Sequence, residues 1–147
     1  VTREKWVDVV CVDTEELSNE VTQEPAAEVV RVGTKPRVAG QAVVGGNIEE
    51  YMPFEDEVAI ICNEEGKVNG LTPNRAVYEE NSREMQDIIC GKFFIAYAPF
   101  DAERFQSLPP DLAEKYREKF KYPERFMRVN NEIVAVPFKP VRADKER

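Results

Sequence analysis

The 147-residue sequence contains no histidine and only three cysteines, and no apolar run approaches the roughly 18 residues that a membrane-spanning helix needs. Without imidazole the chain lacks the usual general base near neutral pH. It also lacks the Ser-His-Asp and Cys-His nucleophile systems and the zinc sets that use histidine. What remains is carboxylate, lysine, arginine, tyrosine or thiolate chemistry. Cys11, Cys62 and Cys90 sit in "VVCV", "IICN" and "IICG". Their odd count and wide spacing form no disulfide framework, and their apolar neighbours predict buried thiols on strands, which favours a reducing, cytoplasmic setting. No charged stretch leads into an apolar one at the start, although a chain beginning at Val1 would show no trace of a leader already removed.

Positive charge is also scarce. Residues 1–65 hold 15 acids against 5 bases, residues 66–147 hold 13 against 15, and the net charge is -8. A nucleic-acid backbone calls for a basic surface that releases counterions, so direct nucleic-acid binding is not expected. The acidic half suits solubility, a basic partner, or imitation of nucleic acid towards a protein that binds it. Hydrophobic content of 42% and aromatic content of 10% are those of a folded domain, and the length fits one domain or one with an appendage.

Valine-rich alternation predicts strands at 5–12 and 28–32, joined by the acidic "DTEELSNEVTQEP". "GTKPRVAG" marks a boundary near residue 40, so residues 1–40 form a strand-rich segment ahead of an α+β domain at 41–138, with a polar tail at 139–147. "QAVVGGNIEEY" fits the end of a short helix stopped by Gly45 and Gly46, then a strand through Ile48. The two glycines have no Lys-Ser or Lys-Thr after them, so they are no phosphate loop. Strands follow at 57–62 and in "DIICGKFFIAYA", which breaks near Gly91. The clearest helix is 107–121. Ser107 is placed to cap it, prolines stand at its start, and Leu112, Tyr116 and Phe120 line one face. "EIVAVPF" is a late strand that Pro137 restricts to an edge or an end. The fold class is therefore α+β, a small mixed or antiparallel sheet with the helix packed on it.

"NEEGKVNGLTPNRAV", residues 63–77, sets three amides, two carboxylates, a lysine and an arginine around two glycines. Gly66 would supply a left-handed turn position, and Gly70 can close another turn. If the segments on either side lie together, Asn63, Asn74 and Arg75 converge, with the Arg75 fork suited to a phosphate or carboxylate. The plainer alternative is a turn whose amides satisfy its own backbone and whose arginine pairs with Glu64, Glu65 or Asp87. The carboxylates Glu49, Glu50, Glu55, Asp56, Glu57, Glu64 and Glu65 match no calcium-loop spacing and fit a solvated face.

"VVGGNIEEYMPFEDEVAIICNEEGKVNGLTPNRAV", "DIICGKFFI" and "FQSLPPDLAEKYREKFKYPERF" resemble the domain of unknown function family 3846, found in small proteins of phages, conjugative elements and their Firmicutes hosts, over residues 41–126. The family opens with a strand and a longer helix before the paired glycines, a part that looks shortened or replaced here. The resemblance implies a small α+β domain without established catalysis, with recurrent polar positions at Asn63, Glu64, Gly66, Asn74, Arg75, Asp87 and Gly91. Residues 1–36 are similar to the second half of the five-glycine cell-surface domain.

The leading expectation is thus a non-enzymatic binding protein of a mobile element, in an accessory or anti-defence role. Asn63, Glu64, Asn74, Arg75 and Asp87 would form its site for a small anionic or nucleotide-like ligand, and no cofactor or metal is implied. The alternative is an acidic inhibitor that meets a basic host protein through residues 49–65, and a cell-wall module is the third reading. Glu64, Asp87 and Tyr97 could do acid-base chemistry, but nothing in the sequence brings them together.

Overall fold

The computed structural model describes residues 6–14, 27–33, 46–102 and 105–137. The acidic linker after residue 14, the "GTKPRVAG" boundary beyond Gly33, the helix end before Gly46 and the polar tail fall outside them. Nine strands and one helix follow in chain order among these residues. They are β1 (Trp6–Val12), β2 (Ala27–Gly33), β3 (Ile48–Tyr51), β4 (Val58–Asn63), β5 (Pro73–Tyr78), β6 (Met85–Cys90), β7 (Phe93–Tyr97), α1 (Pro110–Lys119), β8 (Glu124–Val129) and β9 (Glu132–Pro137). The fold is α+β, as the sequence predicts.

Five strands form one antiparallel sheet in the order β2-β1-β7-β4-β3. The N-terminal strands are hydrogen-bonded into the same sheet as β4 and β7, with Val10 opposite Ile95 and Val12 opposite Phe93. β1, β4 and β7 are valine-, isoleucine- and phenylalanine-rich, and both faces of the sheet are buried, as continuous apolar runs require. On one face Val10, Val12, Val58, Ile60, Phe93 and Ile95 pack with Leu108, Ala113, Tyr116 and Phe120 of the helical segment and with Val77 and Ile89 of β5 and β6. The opposite face buries Val7, Val9, Ala59, Ile61, Phe94 and Ala96. β5 pairs with β6, and β8 with β9, as separate two-stranded ribbons.

The helix is shorter than its sequence pattern. Pro109 stands at its N-cap without a side-chain hydrogen bond, and Pro110 begins it. Ser107 does not cap it. Its hydroxyl instead accepts the Asp8 amide at 2.9 Å, and the Leu108 amide donates to the Asp8 carbonyl at 3.0 Å. β1 bonds β7 only through residues 10–12, so its Asp8 backbone is open to the chain entering the helix. Tyr116 and Phe120 meet the core as expected, with Phe54 5.3 Å from Tyr116 and Phe93 edge-on to Phe120 at 5.4 Å between ring centroids.

Candidate functional site

The five residues singled out by the sequence separate by what they bond. Asn74 and Arg75, at the start of β5, are 2% and 1% exposed. The Asn74 amide nitrogen donates to the Val12 carbonyl at 3.2 Å and the Gly91 carbonyl at 2.9 Å, tying β5 to the end of β1 and to the β6–β7 connection. Its amide oxygen accepts from Arg75 Nη1 at 2.7 Å, so each end of the amide faces the partner its chemistry suits. Arg75 Nη1 also donates to the Asn74 carbonyl at 2.9 Å. Nε and Nη2 both donate to the Phe120 carbonyl, at 3.1 and 2.7 Å. A guanidinium there answers the negative end of α1 and satisfies a carbonyl the helix leaves unpaired. Glu124 lies in the same region. Its carboxylate accepts the Ala76 amide at 2.8 Å; burial pushes its pKa up, while that hydrogen bond and the Arg75 charge oppose the rise.

Asn63 closes its own turn, its side-chain oxygen accepting the Glu65 amide at 2.8 Å. Glu64 is exposed, and its amide donates to the Asn47 carbonyl at 2.8 Å. Asp87 is ion-paired with Lys67 and accepts the Ile88 amide at 2.8 Å. Gly66 does not take a left-handed conformation; that role falls to Gly70, at φ 74°. Gly66 is needed for a different reason: a Cβ there would stand 2.8 Å from the Cys90 carbonyl oxygen, so the turn lies directly on β6.

Lys67 and Asp87 stand beside Tyr51 and Cys62. Burial raises both the Tyr51 phenol and the Cys62 thiol, and the Glu49 and Asp87 charges add to the effect. The Cys62 thiol is pushed up to about 12 and Cys11, by burial above all, to about 11. Neither offers a thiolate at neutral pH. On the helix side, Lys115 Nζ and the Tyr116 hydroxyl both donate to Asp56 Oδ2, at 2.6 and 2.8 Å, fastening the 52–57 loop to α1. These bonds hold the Asp56 carboxyl below its ordinary range, and burial raises Tyr116 further than Asp56 alone would.

Of the seven carboxylates between 49 and 65, Asp56 is thus committed to Lys115 and Tyr116, and Glu57 accepts the Phe100 amide at 2.7 Å. Glu49, Glu50, Glu55, Glu64 and Glu65 are exposed. β3, which carries Glu49 and Glu50, pairs with β4 alone among the described residues and forms one edge of the large sheet. Among the described residues no group of three or more acidic or cysteine side chains is arranged to hold a metal ion, and no helix is long and apolar enough to cross a membrane.

The family model described as a domain of unknown function, DUF3846, matches residues 8–121. The chain belongs to the DUF3846 family. No curated protein and no solved structure matches it. The DUF3846 match begins within β1 and stops just after α1, so most of β1 and all of β2 lie inside it and the β8–β9 ribbon outside it.

Two partners of the expected residues escaped the sequence reading. Lys67, set among turn residues, gave no signal that it would reach across to Asp87. The Phe120 carbonyl is a backbone acceptor, and only the position of Phe120 at a helix end points to it.

Proposed function

We propose that this DUF3846 protein is a non-enzymatic binding protein of a mobile element that meets a basic protein surface through its acidic edge. The observation that carries the reading is the concentration of exposed Glu49, Glu50, Glu64 and Glu65 on an edge strand and the turn beside it. An edge strand offers backbone donors and acceptors to an incoming chain, and a field of one sign selects and steers a partner of the other. An accessory or anti-defence role, blocking a host protein that handles nucleic acid, accords with this charge.

A site for a small anion at Asn63, Glu64, Asn74, Arg75 and Asp87 draws less support, because every Arg75 nitrogen already donates to a backbone or amide oxygen. The test is capture from a Firmicutes lysate at low salt. The expected result is a retained protein that elutes as salt rises and is not captured by the chain carrying Glu49→Lys, Glu50→Lys, Glu64→Lys and Glu65→Lys. Capture that ignores both salt and charge reversal would overturn the reading. An extra mass of a few hundred daltons in native mass spectrometry, lost in Arg75→Lys, would move the function to the small-ligand site.

A further inference from the structure

The β8–β9 ribbon lies beyond the DUF3846 match and is built unlike the rest of the molecule. Five of the eleven large apolar side chains exposed among the described residues belong to it: Met127, Val129, Ile133, Val134 and Val136, each between 37% and 47% exposed. A two-stranded ribbon is marginal in water unless a third strand or a packing layer supports it. Here the link to the body runs through the β8 end, where Glu124 accepts the Ala76 amide. β9 is the outer strand and pairs with β8 alone among the described residues.

The turn fixes which backbone groups of β9 face outward. Asn130 and Asn131 both have positive φ, 52° and 68°, as a two-residue type I′ turn requires. Val129 and Glu132 therefore exchange hydrogen bonds, and alternation makes Met127 with Val134 and Arg125 with Val136 the next bonded pairs. The backbone groups of Ile133 and Ala135 then point away from β8. Pro137 follows at the next outward position, where its missing amide costs the ribbon nothing.

We propose that a second copy of this chain occupies the β9 edge, its own β9 running antiparallel about a two-fold axis through Val134. In that register Ile133 of each copy exchanges both backbone hydrogen bonds with Ala135 of the other, four bonds in all, and Pro137 lies outside them. Val134 meets Val134, and the four strands present Met127, Val134, Val134 and Met127 as one apolar row. Glu132 falls opposite Val136, so no two like charges face each other. Charge also favours a second copy over another partner. The chain carries -8 overall, whereas residues 124–137 hold two acids, Glu124 and Glu132, and two bases, Arg125 and Arg128. The ribbon is thus a neutral edge on an acidic protein, where two copies repel less than at the glutamate-bearing β3 edge. An interface of this kind is isologous and closes at two copies.

Sedimentation equilibrium on the full chain, from about 1 µM to about 1 mM, reads the outcome. The mass is expected to rise from one chain to two. Val134→Lys, which sets two ammonium groups opposite each other, should raise the dissociation constant at least about tenfold. Ala135→Pro deletes an outward amide while leaving the ribbon's own bonds in place, and should act alike with unchanged circular dichroism. Under mild oxidation Val134→Cys is expected to cross-link two copies above the wild-type background, and Val136→Cys, facing Glu132, is not. A wild-type chain that stays single throughout overturns the proposal. So does a dimer that survives both disruptive substitutions, or a Val134→Cys chain that cross-links no better than Val136→Cys.

Discussion

Removing the Arg75 guanidinium tests whether this residue holds the fold or waits for a ligand. Arg75→Ala deletes four donor contacts of 2.7 to 3.1 Å, two to the Phe120 carbonyl and two to Asn74. It leaves those oxygens in a region from which the arginine itself, at 1% exposure, is shielded from water. A hydrogen bond to a charged group contributes about 1.5 to 3 kcal/mol, and an orphaned buried acceptor costs about 1 to 3 kcal/mol. Against these stands the relief of no longer burying a charge, which cancels much of the sum. A net loss of about 3 kcal/mol results, which for a chain of this length lowers the melting temperature by roughly 6 to 12 °C. Urea denaturation with unchanged slope is the assay, and faster hydrogen exchange at the end of α1 is its local signature. Arg75→Lys keeps the charge but not the fork, and should recover less than half of the loss. A cost below about 1 kcal/mol for Arg75→Ala would refute the structural assignment and return the residue to the ligand site.

Tyr116→Phe removes the hydroxyl that donates to Asp56 at 2.8 Å and keeps the ring against Phe54, so a loss of about 1 to 2 kcal/mol in urea denaturation is expected. Because the folded Asp56 carboxyl is held low, its contribution is present above the ordinary value of 3.8 and is lost as pH falls below it; Asp56→Asn should blunt acid unfolding in that window. Glu124 runs the other way. Its raised folded pKa means that stability present below 4.5 is lost as pH climbs through the folded value, so Glu124→Gln, which keeps an acceptor for Ala76, should gain on wild type in melting temperature as pH rises from 4 to 7. Cys62, with its thiol near 12, should resist thiol reagents at neutral pH until the chain unfolds. Gly91→Ala should cost more than 1 kcal/mol by thermal melt, since φ is 87° there and a Cβ would sit 2.7 Å from Leu71 Cδ1.

The strands that the sequence shows plainly are those whose apolar residues alternate or run unbroken: in β1, β4 and β7 burial on the sheet faces imposes that pattern, while β2 and β9 carry it with most of their side chains partly or fully exposed. β5 is hidden because Asn74 and Arg75 interrupt its pattern with polar side chains that are nonetheless buried, their polarity consumed by carbonyls of Val12, Gly91 and Phe120. No local rule reveals such partners, which lie 62, 17 and 45 residues away. β8 left a signal that went unused: Asn130-Asn131 between "FMRV" and "EIVAV" is a hairpin turn of the kind that positive φ favours. Ser107 shows the reverse error, a good capping residue drawn instead to the open backbone of β1.

The same long-range bonds bear on where function can lie. Polar residues that recur around a turn suggest a binding site only while their donors are free for a ligand. Here Asn74 joins β1, β5 and the β6–β7 connection, and Arg75 joins β5 to the end of α1, so both would be required by the fold whatever the protein binds. A core sealed in this way leaves recognition to exposed strand edges. Two exposed strand edges differ in chemistry: β3, at one edge of the large sheet, is acidic and would suit a basic partner, and β9, on the separate β8–β9 ribbon, is neutral and apolar and would suit its own copy. If both are used, charge reversal on β3 should abolish partner capture without changing the dimer, and Val134→Lys should dissolve the dimer while each single chain still binds. Loss of both activities from either change alone would mean that the edges form one surface.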